Sequence, residues 1–280
     1  MNEMHENTEF SSIAVPRRII VPRVNSGLNR SLWEERARRH KSSSAGVLFE
    51  GLPPEANDVV HSWHRWLIDE KLGPTLMEGG LVMDVGCGFG RLSQGLGSSF
   101  PSQQLFGLDF VFDYARQYEA KTNGRAVVAD LAQMPVRPRT FDAIICVTAL
   151  MYLSESRAKS VVADLIDMLR PGGVALFVEP GAEFLRVAAR LRRSSSSSST
   201  GGRGIAKGEF YGWFAEAGAL VLDRGANRGF TAMSPLLAIS RLSTLGVATR
   251  PIARRADRWP GDLGNKWCVH RWALVQRPHG

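Results

Sequence analysis

Residues Leu81 to Ser93 read LVMDVGCGFGRLS. Leu81, Val82, Met83 and Val85 form a short apolar run of the kind that makes a strand buried on both faces of a parallel sheet. Asp84 interrupts the run. Gly86, Gly88 and Gly90 then alternate with other residues. Without a Cβ the backbone can turn sharply at such positions and let a ligand come close. A helix is expected from near Arg91, which would set the amides of the turn at a positive helix end.

Several chemistries share a glycine-rich turn after a strand. A phosphate loop needs Gly-Lys-Ser/Thr, and Arg91-Leu92 follow Gly90 here, so that reading fails. The dinucleotide fingerprint G-x-G-x-x-G needs its third glycine one residue later, which disfavours a nicotinamide oxidoreductase. A plain turn with no ligand is the bland alternative. Spacing argues against it, because a nucleoside held on such a sheet calls for an acid at the end of the next strand, about 20 residues on. Leu105-Phe106-Gly107-Leu108 reads as that strand, and Asp109 ends it 19 positions after Gly90. A third run, Ala126 to Ala129, ends in Asp130-Leu131. Phe141 to Val147 gives a fourth strand. Leu169-Arg170-Pro171-Gly172-Gly173 gives a turn, and Val174 to Val178 a fifth strand.

The pattern D-x-G-C-G-x-G over Asp84 to Gly90, with these later elements in order, resembles the class I methyltransferases that use S-adenosyl-L-methionine. The resemblance covers roughly residues 55 to 225 and is specific for cofactor, not for substrate. It implies an α/β, Rossmann-like doubly wound fold with a mostly parallel seven-stranded sheet and an antiparallel last strand. It also implies a domain over 47–280, with a cofactor-binding core at about 78–180 and substrate-side segments at about 181–218 and 226–266. The cofactor set it implies is Asp84 with Gly86, Cys87, Gly88 and Gly90 for the amino-acid end, Asp109 and Phe110 for the ribose side, and Asp130 with Leu131 for the adenine.

Length allows one large α/β domain with flanking segments. Cys87, Cys146 and Cys268 lie far apart with no C-x-x-C pair, so zinc and disulfide readings are weak and no metal is expected. The acidic start MNEMHENTEF does not read as a signal peptide. No uncharged apolar stretch reaches the length of a membrane span. A reduced, cytoplasmic protein fits these features. The formal charge is +8, and its placement is uneven. Residues 47–180 hold 11 basic and 16 acidic residues, whereas 181–280 hold 16 and 6. That excess suits an anionic acceptor, an acidic lipid surface or RNA, and equally a solvated basic face.

Taken in order, residues 1–46 read as a flexible basic arm with one short helix near Ser31 to Arg39. It is either a cover over the site or, on balance, a solvated tail. Asn57 or Asp58 is expected to cap a helix running through Lys71, with His61 and His64 on it. Thr148 to Leu153 follows the fourth strand and so faces the reaction centre. Tyr152 there, Glu179 at the end of the fifth strand, and His64 are the catalytic candidates, with His61 and Tyr211 behind them. Each has an ordinary structural alternative, as a core aromatic, a capping carboxylate or a packing histidine. Ser194 to Ser199 and the following glycines read as a flexible loop. Residues 226–266 are too long for a plain loop and should shape the substrate pocket.

The resemblance implies methyl transfer. The motifs of adenine-N6 and cytosine-C5 enzymes are absent, so a small-molecule acceptor is the first reading, methylated on oxygen: a sugar, a lipid-linked group or a secondary metabolite. An rRNA or tRNA methyltransferase is the competing enzyme, and the basic run 250–258 is the feature that would serve it. A non-catalytic protein that senses the cofactor is the third reading. The sequence does not address the oligomeric state.

Overall fold

The computed structural model describes residues 30–50, 54–191, 202–227 and 268–279, together with 252 and 255. The strands are β1 (Leu81–Val85), β2 (Gln104–Asp109), β3 (Arg125–Val128), β4 (Phe141–Val147), β5 (Leu169–Pro180), β6 (Leu220–Ala226) and β7 (His270–Gln276). They make one sheet in the order β3-β2-β1-β4-β5-β7-β6. The first five run parallel, and β7 is antiparallel to both β5 and β6. The seven-stranded sheet with its antiparallel last strand is therefore as the sequence predicts. β6 runs four residues beyond the predicted Ala219–Leu222, because its register with β7 shifts between Val221 and Asp223 and pairing then continues to Ala226.

The helices are α1 (Arg30–His40), α2 (Pro54–Leu67), α3 (Arg91–Ser99), α4 (Phe112–Thr122), α5 (Glu155–Met168), α6 (Ala182–Leu191) and α7 (Lys207–Glu216). Strand alternation splits the core in two. Met83, Val85, Ile144 and Phe177 pack on one face with Val162 of α5 and Phe210 and Phe214 of α7. Val82, Ala143, Ile145 and Leu176 pack on the other with Trp63 of α2, Leu96 of α3 and Tyr118 of α4. A sheet covered on both faces needs apolar residues at every strand position, which is why β1 and β4 read as continuous runs.

Three local readings are corrected. Residue Asn57 does not cap α2, which begins at Pro54, where a missing N–H costs nothing. The Asn57 side chain instead accepts from Phe49 N at 3.0 Å and donates to Phe49 O at 2.9 Å, tying the incoming chain to the helix. Beyond Leu67 the helix widens into a π turn, Ile68–Leu72. Of the arm read as a tail, residues 30–46 form α1 and a single 3-10 turn. Trp33, Arg36 and Ala37 are buried, against a cluster that holds Phe89, Val111 and Tyr114. Residues 1–29, the serine run 194–199 and the basic run 250–258 (residues 252 and 255 apart) lie outside the described residues, as does most of the 226–266 connection. Among the described residues no helix is long and apolar enough to cross a membrane.

Candidate active site

β1 is bonded to β2 on one side and β4 on the other, so the strand order reverses at β1 and a crevice opens beyond its carboxyl end. A cavity of about 80 Å³ lies there. Asp84, Gly86, Cys87, Gly88, Asp109 and Phe110 line it, together with Leu131 and Tyr152. These come from the ends of β1, β2 and β3 and from the segment after β4, so the topology gathers most of the residues that the sequence singles out.

Gly86 and Gly88 hold φ of 66° and 53°, the left-handed region that glycine enters at little cost. A Cβ at Gly88 would lie 2.9 Å from Val47 Cγ1, and one at Gly86 would lie 3.0 Å from the Ala149 Cβ. The turn is thus bare because the cavity wall approaches it. Gly90 has a different job. Its φ is 84° at the start of α3, and a Cβ there would meet Thr122 Cγ2 at 2.6 Å. It lets α3 pack against α4 and does not line the cavity.

Asp109 Oδ2 accepts from Gly88 N at 2.9 Å, and Oδ1 accepts from Val111 N at 2.8 Å. One carboxylate thereby ties the glycine turn to the loop after β2. Burial pushes its pKa up to about 6, against the pull of these amides. A carboxylate offers about four lone-pair sites, so the amides of Gly88, Val111 and Phe110 still leave capacity for a hydroxyl donor. Asp84 accepts from Ser93 Oγ at 2.7 Å, and burial lifts it too to about 6, with Arg91 and Ser93 acting in the opposite direction. Asp130 caps the short 3-10 turn after β3 by accepting from Ala132 N at 2.7 Å. It stands behind the cavity wall formed by Ala129 and Leu131.

The catalytic candidates separate. Tyr152 lines the cavity and packs edge-on against Trp33, with ring centroids 5.2 Å apart. Glu179 is fully buried and outside the cavity lining. Its Oε1 accepts from Ala149 N at 3.1 Å and Leu150 N at 2.8 Å, and Oε2 accepts from Met151 N at 3.1 Å. It pins the segment after β4, as the capping alternative foresaw. Burial raises its pKa to about 8, opposed by the three amides and by Arg203. His64 is buried on α2, with its Nδ1 3.3 Å from Arg91 Nη2, while His61 Nδ1 lies 2.8 Å from Arg91 Nη1. Arginine only donates, so both Nδ1 atoms accept and both Nε2 atoms carry the proton. Burial, then the Arg91 charge, lowers His61 to about 4 and His64 well below its ordinary value. Tyr211 lies under the Arg224 guanidinium, 5.3 Å from its ring centroid, and is not part of the lining.

Sequence reasoning missed Trp33, Val47, Arg91 and Tyr114 as lining residues. Trp33 and Val47 come from the N-terminal segment. Arg36 holds the turn between them by donating to Ala45 O at 2.7 Å, and Tyr114 Oη donates to Gly46 O at 2.7 Å. Thr148 sits at φ 55°, an uncommon state for a β-branched residue, while its N donates to Val178 O at 2.7 Å. It lines the cavity, as its place after β4 predicts.

Residues 82–173 match the family model described as a methyltransferase domain. Over those residues, about a third of its length, the chain carries a methyltransferase domain. A malonyl-[acyl-carrier protein] O-methyltransferase of Hahella chejuensis is 33% identical over 95 residues, which is 33% of each chain. A tRNA (carboxymethyluridine(34)-5-O)-methyltransferase of Arabidopsis thaliana is 32% identical over 110 residues, 39% of this chain and 26% of that protein. The matches thus span a third or less of these curated relatives. The magnesium protoporphyrin IX methyltransferase of Synechocystis, solved with bound S-adenosylhomocysteine, superposes with a TM-score of 0.58 at 14% identity. That superposition covers 89% of this chain and 95% of the other. At that identity the likeness is one of fold, and the methyltransferase domain here shares it almost end to end.

Proposed function

We propose that this chain transfers a methyl group from S-adenosyl-L-methionine to an oxygen of a small, anionic acceptor. The observation that carries the reading is the cavity at the carboxyl ends of β1, β2 and β4, where Asp109 holds the glycine turn and keeps a lone pair to spare. The bare backbone at Gly86 and Gly88 suits the amino-acid end of the cofactor, and Asp109 suits its ribose hydroxyls. Leu131 and Ala129 offer an apolar wall for the adenine. When bound there, the cofactor supplies an electrophilic methyl carbon on a positively charged sulfur.

The chain's own residues then bind, orient and exclude water, which is most of what such a reaction needs. Asp109 and the Gly86–Gly88 turn would hold the cofactor, which would supply its methyl group to an acceptor oxygen. Glu179, His61 and His64 are not poised as bases. Both oxygens of Glu179 accept from backbone amides, and the free nitrogens of His61 and His64 carry protons. An acceptor that arrives already ionised, such as a carboxylate, needs no base. Arg91 lines the cavity and is the cation placed to meet it. The O-methyltransferase of Hahella chejuensis, named for a malonyl group, lends support to a carboxylate acceptor. An RNA acceptor is the second reading, favoured by the name of the Arabidopsis relative.

Calorimetric titration with S-adenosylhomocysteine, with NAD as control, tests the cofactor. Binding of the first alone is expected, and Asp109→Ala should weaken it by about 1–3 kcal/mol, the cost of removing a charged acceptor in a buried site. Label transfer from methyl-tritiated cofactor to a panel of carboxylic acids and to bulk tRNA tests the acceptor. Transfer to tRNA alone would sink the small-molecule reading, and no cofactor binding would sink the whole.

A further inference from the structure

A larger concavity lies at the opposite end of the sheet. It is a groove of about 710 Å³ beyond the amino ends of the parallel strands, lined by Leu81, Gln104, Arg125, Phe141 and Arg170 from the starts of β1 to β5. The α4–β3 turn adds Lys121 and Asn123, and the loop before β4 adds Arg137 and Arg139. Five cations line it and, among the described residues, no carboxylate does. The pairing of Arg170 with Asp142, at 2.8 and 3.0 Å, accounts for one of the five. Lys121, Arg125, Arg137 and Arg139 are all exposed, and among the described residues neither Arg137 nor Arg139 has a carboxylate partner.

These cations come from a stretch whose net charge is negative. Three separate segments bring them to one concave wall, and none of the acids of the same stretch lines it. Arg139 moreover holds a φ of 55°, with its N bonded to Asp167 O at 2.9 Å, so the loop presents a bulky cation from a conformation such residues rarely adopt. The wall between the cations is apolar. Leu105, Phe106, Val136 and Phe141 form it, with the Phe106 and Phe141 rings 5.7 Å apart. Exposed Gln94, Gln104 and Asn123 add neutral donors and acceptors.

We propose that this groove is a second binding site, for an organic polyphosphate of nucleotide size. Arg137 and Arg139, exposed and without a carboxylate partner among the described residues, call for more than one negative charge. The apolar wall gives a ring system something to cover, which an inorganic anion would not use. The volume falls within the roughly 300–1,000 Å³ of ligand pockets. The site is separate from the cavity at the carboxyl ends of the strands, and it stands or falls independently of the methyl-transfer reading.

The test is calorimetric titration of the full chain with ATP, without divalent metal and at physiological salt, in the absence and presence of S-adenosylhomocysteine. Saturable submillimolar binding, unaffected by S-adenosylhomocysteine, is expected. The pair Arg137→Ala and Arg139→Ala should weaken it by about tenfold, the worth of one charge-assisted hydrogen bond. The double variant should keep the wild-type far-UV circular dichroism. If it does not fold, Lys121→Ala serves instead, with a several-fold loss expected. No saturable binding, or binding that none of these variants weakens, would overturn the site. Pyrophosphate binding as tightly as ATP would overturn the organic ligand. A ten-nucleotide oligouridylate binding more than tenfold tighter than ATP would overturn it in favour of a nucleic-acid strand.

Discussion

Glu179 shows how a single side chain changes meaning once its partners are known. Three backbone amides, those of Ala149, Leu150 and Met151, end on its two oxygens, so it holds the segment that carries Thr148 and Tyr152 into the cavity. It is a positioning residue. Glu179→Ala orphans three buried donors and should cost about 3 kcal/mol or more at roughly 1–3 kcal/mol for each unmet group. Urea midpoints measure that loss. Glu179→Gln keeps one acceptor and should fall between the two. A pH–rate profile separates this role from general base catalysis: the Gln variant should keep the wild-type limbs with a lower plateau, and loss of a limb would make Glu179 the base.

At the scale of elements, α1 and the turn after it decide access. Trp33 and Val47 close one side of a cavity of about 80 Å³, well below the roughly 300 Å³ at which ligand pockets begin. A cofactor of nucleoside size can enter only if this segment shifts. α1 is held by a small cluster with Phe89, Val111 and Tyr114 and by the Arg36 and Tyr114 bonds to the turn. α1 buries three residues against six on α5, and elements with few buried contacts open most readily. Trp33→Ala should therefore speed both association and dissociation of S-adenosylhomocysteine in stopped-flow fluorescence, with dissociation rising more, since the ring also covers the bound state through Tyr152. Unchanged rates would mean that α1 does not gate the cavity.

Across the whole molecule, α2, α3 and β7 meet in a buried histidine cluster. His64 and His270 lie with ring centroids 5.4 Å apart, and Arg91 reaches both His61 and His64. Burial, then the charge of Arg91, lowers His270 to about 3 and His61 to about 4. The unfolded chain takes up these protons near pH 6.5, whereas the folded one refuses them until about pH 3–4. Between those limits the unfolded state binds more protons, so folding stability falls as pH falls. Asp84 and Asp109, raised to about 6, act oppositely, gaining protons first in the folded state and losing their contribution as pH rises through 6. A difference measurement separates the two. His270→Gln should flatten the fall of Tm between pH 6.5 and 3 relative to wild type, and an unchanged slope would mean that His270 is not held neutral.

The residues that decide fold and family lie in one line of sequence. Apolar runs of fixed length, Asp84, three alternating glycines and an acid 19 positions later are local signals, because strand burial, turn geometry and strand spacing are all set by neighbours in the chain. The first five strands and the carboxylate at the end of β2 were legible for that reason. Gly90 was legible as a turn but not as the packing contact of α3 with α4, and Asp130 as an acid but not as a cap. Those roles depend on what stands opposite, and Thr122 and Ala132 have no pattern that announces it. Trp33 belongs to a segment whose composition reads as a tail, and Val47 stands just beyond it. Only the fit of Trp33 and Ala37 beside Phe89 and Tyr114 makes it a wall of the site. The basic groove is invisible in sequence because its five cations are scattered through an acidic stretch, and only the common origin of the parallel strands brings them to one face.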